Sequence, residues 1–398
     1  MPAQAKHNGG QMIVMKFGGT SVGNASRVRS VVRQVAARRA ESPIVVVSAV
    51  GDVTDWLITI AKLASAGAPY AQRLETLEKL HHRIISALGL NRNLINPDIK
   101  QLRSQLRDVA SSRKLTAKAL DAIMAFGERA TCKIVAQCML RSGIPAGSYN
   151  SYDVGLTTDA NFGSAEVLHS SYPAIKREMR KLGNQIPIIT GFIGRTKGGD
   201  ITTLGRGGSD YTASIIGAAL NANEVQIWTD VDGMMTADPK IVRRAKTLDE
   251  ASYDEAKELA NLGAKVLHHK TLGPAIRKGI PVRIANSLNP SGHGTLISKD
   301  ISKKQRIASI TYSKSTDYLE ANAPDSLRAD RGDLTKISIV GKNMSTIPGE
   351  LKKALSALKD IEIEMVLSNK SGISQSFVVK ERHGARAIRQ LHKEFFGA

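Results

Sequence analysis

Ile13-Val14-Met15-Lys16-Phe17-Gly18-Gly19-Thr20-Ser21-Val22 is the stretch on which the reading of this chain turns. It opens as an apolar strand and stops at Gly18-Gly19. Two hydroxyl residues follow, and Gly23-Asn24-Ala25-Ser26 reads as the start of a helix. Paired glycines let a backbone turn sharply and bring its N–H groups close to an anion. A helix N-terminus behind them adds partial positive charge. Lys16 supplies a full one. The combination describes a phosphate cradle with a lysine at a strand end. Alone, the fragment also reads as an ordinary strand–turn–helix with a surface lysine. Neither a G-x-x-x-x-G-K-[ST] loop nor a G-x-G-x-x-G after a strand occurs, so it is not a Walker A loop or a dinucleotide fingerprint.

At 398 residues the chain exceeds what one core sustains, roughly 250–300 residues, so two or more domains are expected. No apolar run approaches the roughly 18 residues of a membrane span. Residues 1–11 are polar, lack the apolar core of a signal peptide, and read as a flexible tail. Cys132 and Cys138 fall in one segment of helical pattern. They point to reduced thiols in a cytoplasmic protein, not to a disulfide framework. The formal net charge of +20 admits nucleic acid, an acidic membrane or anionic substrates as partners. The basic residues are spread along expected helices, and with aromatics at 4 % base-stacking platforms are lacking. The reading is a solvated basic surface that attracts anionic metabolites, with no specific nucleic-acid partner and no membrane.

Ile44-Val45-Val46-Val47-Ser48 is a continuous apolar run, as for a parallel strand buried on both faces. Ligands in open α/β sheets bind beyond the carboxyl ends of such strands, where Ser48 and Thr54 stand. Thr54 or Asp55 also suits a helix cap. Residues 57–125 read as helical scaffold, ending in Phe126-Gly127-Glu128-Arg129. A second buried strand, Pro187-Ile188-Ile189-Thr190, leads to a polar stretch, 195–200, that reads as a mobile hairpin or flap. Leu204-Gly205-Arg206-Gly207-Gly208-Ser209-Asp210 then strips side chains from a loop before a helix. Arg206 there can grip a carboxylate with both arms of its fork, and Ser209 or Asp210 also suits a cap. Val225-Gln226-Ile227-Trp228-Thr229-Asp230 is a strand running into an acidic turn that continues through Met235, Asp238 and Lys240. Lys265 in Gly263-Ala264-Lys265-Val266-Leu267-His268 would, alone, be a surface residue. His268, His269 and His293 lack metal-ligand spacing, so no protein metal site is assigned.

The lysine–glycine string at Lys16, the Phe-Gly-Glu-Arg at 126–129, the glycine-rich string at 204–210 and the Gly-Ala-Lys-Val-Leu-His at 263–268 stand in the order found in aspartate kinases, which they resemble. These are members of the amino-acid kinase superfamily, and the resemblance runs from Ile13 to Phe396. It implies an α/β fold, a three-layer αβα catalytic domain over 12–299 with a mainly parallel sheet. It implies transfer of the ATP γ-phosphoryl group to the side-chain carboxylate of L-aspartate, the first step toward lysine, threonine and methionine. Lys16, Asp210 and Lys265 match catalytic positions. Ser48, Thr54, Glu128, Arg206 and Ser209 match substrate-binding positions, Glu128 at the ammonium and Arg206 at the α-carboxylate. Gly18, Gly19, Thr20, Ser21, Thr229, Asp230, Met235, Asp238, Lys240 and Lys265 match the nucleotide site. ATP and Mg²⁺ follow, the metal carried mainly by the phosphates. Two departures stand out: Met235 replaces a tyrosine of the nucleoside loop, and His269-Lys270 replaces a proline. Another acyl-phosphate-forming kinase, acting on an N-acetylated amino acid, is a rival; Glu128 argues against it. An inactive amino-acid-binding regulator is a second, opposed by Lys16, Asp210 and Lys265 together.

From 300 to 398 the expected order is a short strand at Ile307 to Tyr312, a loop over 313–335, then β-α-β-β-α. This resembles an ACT domain, a ferredoxin-like (βαββαβ) unit, with Ile307 to Tyr312 supplying the fourth strand. Many aspartate kinases nest a second ACT unit at this point. Four strands and two helices, at roughly 5–6 and 11 residues each, do not fit into 313–335. One ACT unit is expected, able to pair copies into a homodimer. Lys370 stands where sensing units often have an acid, so weak feedback inhibition follows.

Overall fold

The computed structural model describes residues 11–263, 269–302, 307–314, 334–342, 344, 348–369 and 371–397. Lys265, Lys370, most of the expected tail and most of the expected loop at 313–335 lie outside the described residues. By contact the chain forms two compact units, Met1–Asp230 with Lys270–Gly292, and Val231–His269 with His293–Ala398.

In the first unit, six strands run parallel in the order β3 (Ala146–Tyr149), β5 (Ile186–Thr190), β2 (Ile44–Val47), β1 (Ile13–Phe17), β8 (Glu224–Thr229) and β10 (Val282–Asn286). β1 lies between β2 and β8, with Met15 level with Val45 on one side and Gln226 on the other. All five residues of β1 are buried. That is why four of the five are apolar, Lys16 being the exception: both faces of the sheet are covered.

Side-chain alternation sorts the two faces. Ile13, Met15, Phe17, Val45, Val47 and Ile188 pack into a large core with α1 (Ala25–Ala37), α2 (Val53–Ala66), α3 (Ala71–Ala87), α4 (Asn96–Ser112) and α5 (Ala117–Arg141). The Trp228 ring stacks on Phe17 within it, centroids 5.9 Å apart. Val14 faces the other way. A Cβ added to Gly217 of α7 (Gly208–Leu220) would meet Val225 at 2.6 Å and Val14 at 3.8 Å. The glycine lets α7 lie close on that face, and helix–sheet–helix layering results. α6 (Ser171–Met179) packs beside α7 through Ile175 and Ile215. Alternation therefore points Lys16 toward the α7 face.

A small sheet stands apart, β4 (Thr157–Thr158), β6 (Ile193–Thr196) and β7 (Ile201–Thr203). The hairpin of β6 and β7 is the one expected near 195–200. Asp121 of α5 anchors it: its carboxylate accepts from the Thr203 N–H at 2.8 Å, the Thr203 hydroxyl at 2.8 Å and the Gly163 N–H at 2.9 Å. Burial nonetheless pushes its carboxyl above the usual range.

The second unit holds a four-stranded sheet in the order β12 (Ile307–Lys314), β13 (Leu334–Gly341), β15 (Ser374–Lys380) and β14 (Met365–Ser368), antiparallel throughout. α10 (Pro348–Ala357) and α11 (Glu381–Phe396) cover it. The expected fourth strand is there. The chain supplies first what a βαββαβ unit supplies last, and β12 takes the edge beside β13. Both strands extend further than the sequence suggested: Ser313 pairs with Lys336 and Lys314 with Thr335. A segment from the preceding half joins this core. Ala237 and Val242 pack with Ile310, Ile388 and Leu391. The Ile310 N–H donates to the Thr236 carbonyl at 2.8 Å, and the Ser309 hydroxyl to the Met235 carbonyl at 2.7 Å. Strands β9 (Glu250–Ser252) and β11 (Thr295–Ser298) pair parallel, and Ser252 and Glu255 form a capping box at α8 (Tyr253–Asn261). Among the described residues no helix is long and apolar enough to cross a membrane.

Candidate functional site

Lys16 stands one residue before the end of β1, on the face covered by α7, and is 8 % exposed. Its Nζ lies 2.5 Å from Oδ1 of Asp210, in the first turn of α7. The ion contact brings together residues far apart in the chain. It forms because alternation aims Lys16 at α7 and because the glycine string ends where α7 starts. Gly207, at φ +71°, is the residue before the helix; it has no side chain to cap with. Ser209 and Asp210 lie inside the first turn, so neither is a cap. Their N–H groups have no acceptor among the described residues, which leaves an open helix N-terminus beside Lys16. Gly191 leaves room there: a Cβ on it would meet the Ser209 Cβ at 2.5 Å.

Of the two glycines after β1, the first differs from the expected cradle. The Gly18 N–H donates to the Trp228 carbonyl at 3.0 Å, which commits it to the sheet. A Cβ there would make only ordinary contact with Lys16 Nζ, at 3.6 Å. A Cβ on Gly19 would meet the Gly51 carbonyl at 2.7 Å and the Ala49 carbonyl at 2.8 Å. Gly19 is therefore the place where the loop after β1 touches the loop after β2. Ser21 lies just past this contact, in the single turn that follows Gly19. It is buried, and its hydroxyl donates to Ser287 Oγ at 2.7 Å. Ser287 in turn donates to the Thr229 carbonyl at 3.0 Å, so this pair ties the ends of β8 and β10 together. Thr20 stays exposed, its carbonyl accepting from Arg27 at 2.7 Å.

Ser48 follows β2 and is half-buried. α2 starts at Val53 after Asp52, with no side-chain cap. The Thr54 hydroxyl makes no hydrogen bond among the described residues, so capping does not account for it.

Glu128 lies on α5, 2 % exposed. Its Oε1 accepts from the Ala49 N–H at 3.2 Å, and its Oε2 is buried without a partner among the described residues. Burial pushes its carboxyl up to about 8, against the pull of the Ala49 N–H. The neighbouring Arg129 takes the structural role, bonding Gln101 at 2.8 Å and lying 3.4 Å from Asp98. Gly127 sets the fit: a Cβ there would overlap the Ala49 Cβ at 2.6 Å. Gly127→Ala should thus push α5 off this loop at a cost of about 1–3 kcal/mol. Urea denaturation checks it; an unchanged midpoint would show that the loop yields freely.

Arg206 is exposed, with no ion pair among the described residues. Thr229 ends β8, and its hydroxyl bonds Asp230 at 3.2 Å. Met235, Asp238 and Lys240 belong to the second unit. Asp238 Oδ1 accepts from the Lys240 N–H at 2.8 Å, a tight local turn. Among the described residues no group of three His, Cys, Asp or Glu side chains is placed to hold a metal ion. Sequence reasoning missed Asp121, Gly191 and Ser287. An acid beside Leu120 and Ile123 on an apolar helix face was the one signal of a buried anchor at Asp121.

The first unit is thus an amino-acid kinase type of fold with its polar groups gathered at the strand ends. A model of the amino acid kinase family matches residues 11–286, and one of the ACT domain matches 337–395. Aspartokinase 1, chloroplastic, of Arabidopsis thaliana is 31 % identical over 455 residues, covering 96 % of this chain and 80 % of the relative. The aspartokinase of Bacillus sp. (strain MGA3) is 29 % identical over 450 residues, covering 96 % and 97 %. That alignment is longer than the 398 residues here, so the relative holds segments without a counterpart in this chain. Escherichia coli aspartokinase III, solved in complex with aspartate and ADP, superposes with a TM-score of 0.82 at 24 % identity, covering 97 % and 100 %. The chain belongs to the aspartokinases of the amino acid kinase family.

Proposed function

We infer that this chain is an aspartate kinase, transferring the γ-phosphoryl group of ATP to the side-chain carboxylate of L-aspartate. The observation that carries the reading is Lys16 against Asp210, beside an open helix N-terminus at the carboxyl ends of a parallel sheet. The acceptor carboxylate is already ionised at neutral pH. A carboxylate oxygen attacks the γ-phosphorus, the bond to the β-phosphate oxygen breaks, and ADP leaves with that electron pair. No proton has to move. The task is charge screening and in-line placement.

Lys16, with Lys265, spreads the charge on the transferring group, and the open N–H groups of α7 assist. Asp210 holds Lys16 until the nucleotide arrives. Mg²⁺ carried by the nucleotide would supply further charge neutralisation. Asp210 is the carboxylate placed to meet it, and a metal brought in this way requires no protein cage. Ser48, Thr54 and Ser209 offer hydroxyls to aspartate. Gly18 is tied to β8 through its N–H, and Gly19 packs the loops together. Thr20, Thr229, Asp230, Met235, Asp238 and Lys240 are assigned to the nucleotide on their motif alone. The unpartnered Oε2 of Glu128 suits the substrate ammonium, which an N-acylated rival lacks. The test is ATP- and Mg²⁺-dependent hydroxamate formation against a panel of amino acids. Aspartate should be turned over; turnover of an N-acetylated amino acid instead, or of none, overturns the reading.

Arg206→Lys keeps the charge and loses the planar fork. We expect the aspartate KM to rise about tenfold, with nucleotide affinity near wild type. Comparable loss of ATP affinity would place Arg206 on the phosphates.

A cytoplasmic homodimer is proposed, paired through the ACT sheet. β14 is the edge opposite β12, and Val366 on it is 43 % exposed. With a single matched ACT domain, lysine and threonine, alone or together, are expected to inhibit weakly or not at all. Titrating both into the hydroxamate assay decides this; sub-millimolar inhibition by either would show that one unit suffices.

A further inference from the structure

A groove of about 510 Å³ lies in the second unit between residues 241–244 and the C-terminal half of α11. Arg243 and Arg244 line one side; Arg389 and Lys393 line the other. All four are exposed, and none has an ion pair among the described residues. Some cations elsewhere are matched, Arg103 with Glu78, Lys118 with Asp200 and Arg283 with Glu224. Four unmatched cations around one concavity repel one another, and a bound anion relieves that repulsion.

The framework beneath them is rigid. Val242 forms part of the groove and also packs with Ile388 and Leu391 of α11, so the turn and the helix share one core. The turn is closed by the Ile241 and Val242 N–H groups on the Asp238 carbonyl, at 3.0 and 2.9 Å. His392, 4 % exposed, completes the wall. Its Nε2 lies 2.9 Å from the Thr236 hydroxyl, and its ring stacks on Phe396 at 4.8 Å. The backbone positions that carry the cations are thus set before any ligand arrives.

We propose that this groove is a binding site for a small metabolite carrying two or more linked phosphate groups. Three guanidinium forks match phosphate oxygens in geometry as well as charge. The volume exceeds the needs of a single phosphate and falls within the range of small-molecule pockets, roughly 300–1,000 Å³. The site bears on the reaction through His392 and Thr236. A ligand that draws Arg389 toward Arg243 acts on the segment containing Met235 and Asp238. That consequence, unlike the binding itself, rests on the nucleotide role proposed for this segment.

Pyrophosphate is the probe, titrated calorimetrically at low salt into the full chain. Aspartate is present throughout, and Lys16→Ala is titrated beside the wild type, so that a site this variant keeps is not the catalytic one. One site per chain is expected. Arg389→Ala should weaken it about tenfold, the worth of a charge-assisted bond, and Arg243→Ala with Arg389→Ala about a hundredfold. Arg389→Lys should fall between wild type and Arg389→Ala, and it keeps the test valid if the alanine variants fold poorly. Arg73→Ala, on the exposed side of α3, should change nothing. No saturable binding to the wild-type chain overturns the proposal. Equal weakening by Arg73→Ala overturns it too, by showing diffuse surface charge. Duplex oligonucleotide binding more tightly than pyrophosphate, and lost in the same variants, would assign the groove to nucleic acid instead. Hydroxamate activity is read separately, so failure here leaves the aspartate kinase reading to its own test.

Discussion

Lys16→Ala should lower kcat by roughly 10²-fold or more, since one oriented charge on a transferring group is typically worth about 3 kcal/mol. The Nζ that lies 2.5 Å from Asp210 in the free chain is lost, and with it the charge placed at the end of β1. The KM for aspartate should move much less, because its proposed contacts come from Arg206, Glu128 and the two loops. Asp210→Asn separates the two halves of the pair: it keeps the shape and removes the charge that holds Lys16. Steady-state hydroxamate kinetics on both variants check this. A kcat within about threefold of wild type in Lys16→Ala would make Lys16 a mere partner of Asp210 in the fold.

Glu128→Gln should raise the aspartate KM about a hundredfold, the scale of losing one partner of a buried charge pair. It should also change two pH profiles. In the free chain the Glu128 carboxyl is raised to about 8, and only its ionised form pairs with an ammonium. The kcat/KM for aspartate should therefore climb about tenfold per pH unit below 8 and level off above it. The glutamine variant should lose that limb. Stability moves in the opposite direction. The folded state holds a proton that the unfolded chain releases near 4.5, so wild-type stability falls as pH rises from about 4.5 through 8. The variant should lack this loss and melt higher than wild type at pH 9. A KM within threefold of wild type, with the acidic limb intact, would remove Glu128 from the substrate site.

How much of this was legible depends on what kind of contact each residue makes. β1 and β2 were plain because a strand buried on both faces is nearly all apolar, with Lys16 the one exception. The glycine string before α7 was plain because only glycines tolerate that backbone. Even the edge strand β12 could be placed, since an ACT sheet short of a strand has to take one from nearby. The partners of polar atoms were not legible. Nothing local says that the Gly18 N–H goes to Trp228, or that Ser21 is spent on Ser287. Both are hydrogen bonds between residues more than two hundred positions apart in the chain. Equally hidden was the adherence of Ala237 and Val242 to the core of α11. Their pattern is that of a short loop, and only packing reveals which core accepts it.

The pairing of Lys314 with Thr335 has a practical consequence. It brings the two ends of the stretch between β12 and β13 side by side within a ladder that is already closed. The entropy of joining two fixed ends grows only slowly with the length between them, about 0.6 kcal/mol per doubling. The stretch is therefore a natural splice point, where whole modules can be gained or shed while the sheet keeps its register. An engineer who wants this kinase to answer to a new signal should graft the sensor there, between 314 and 335.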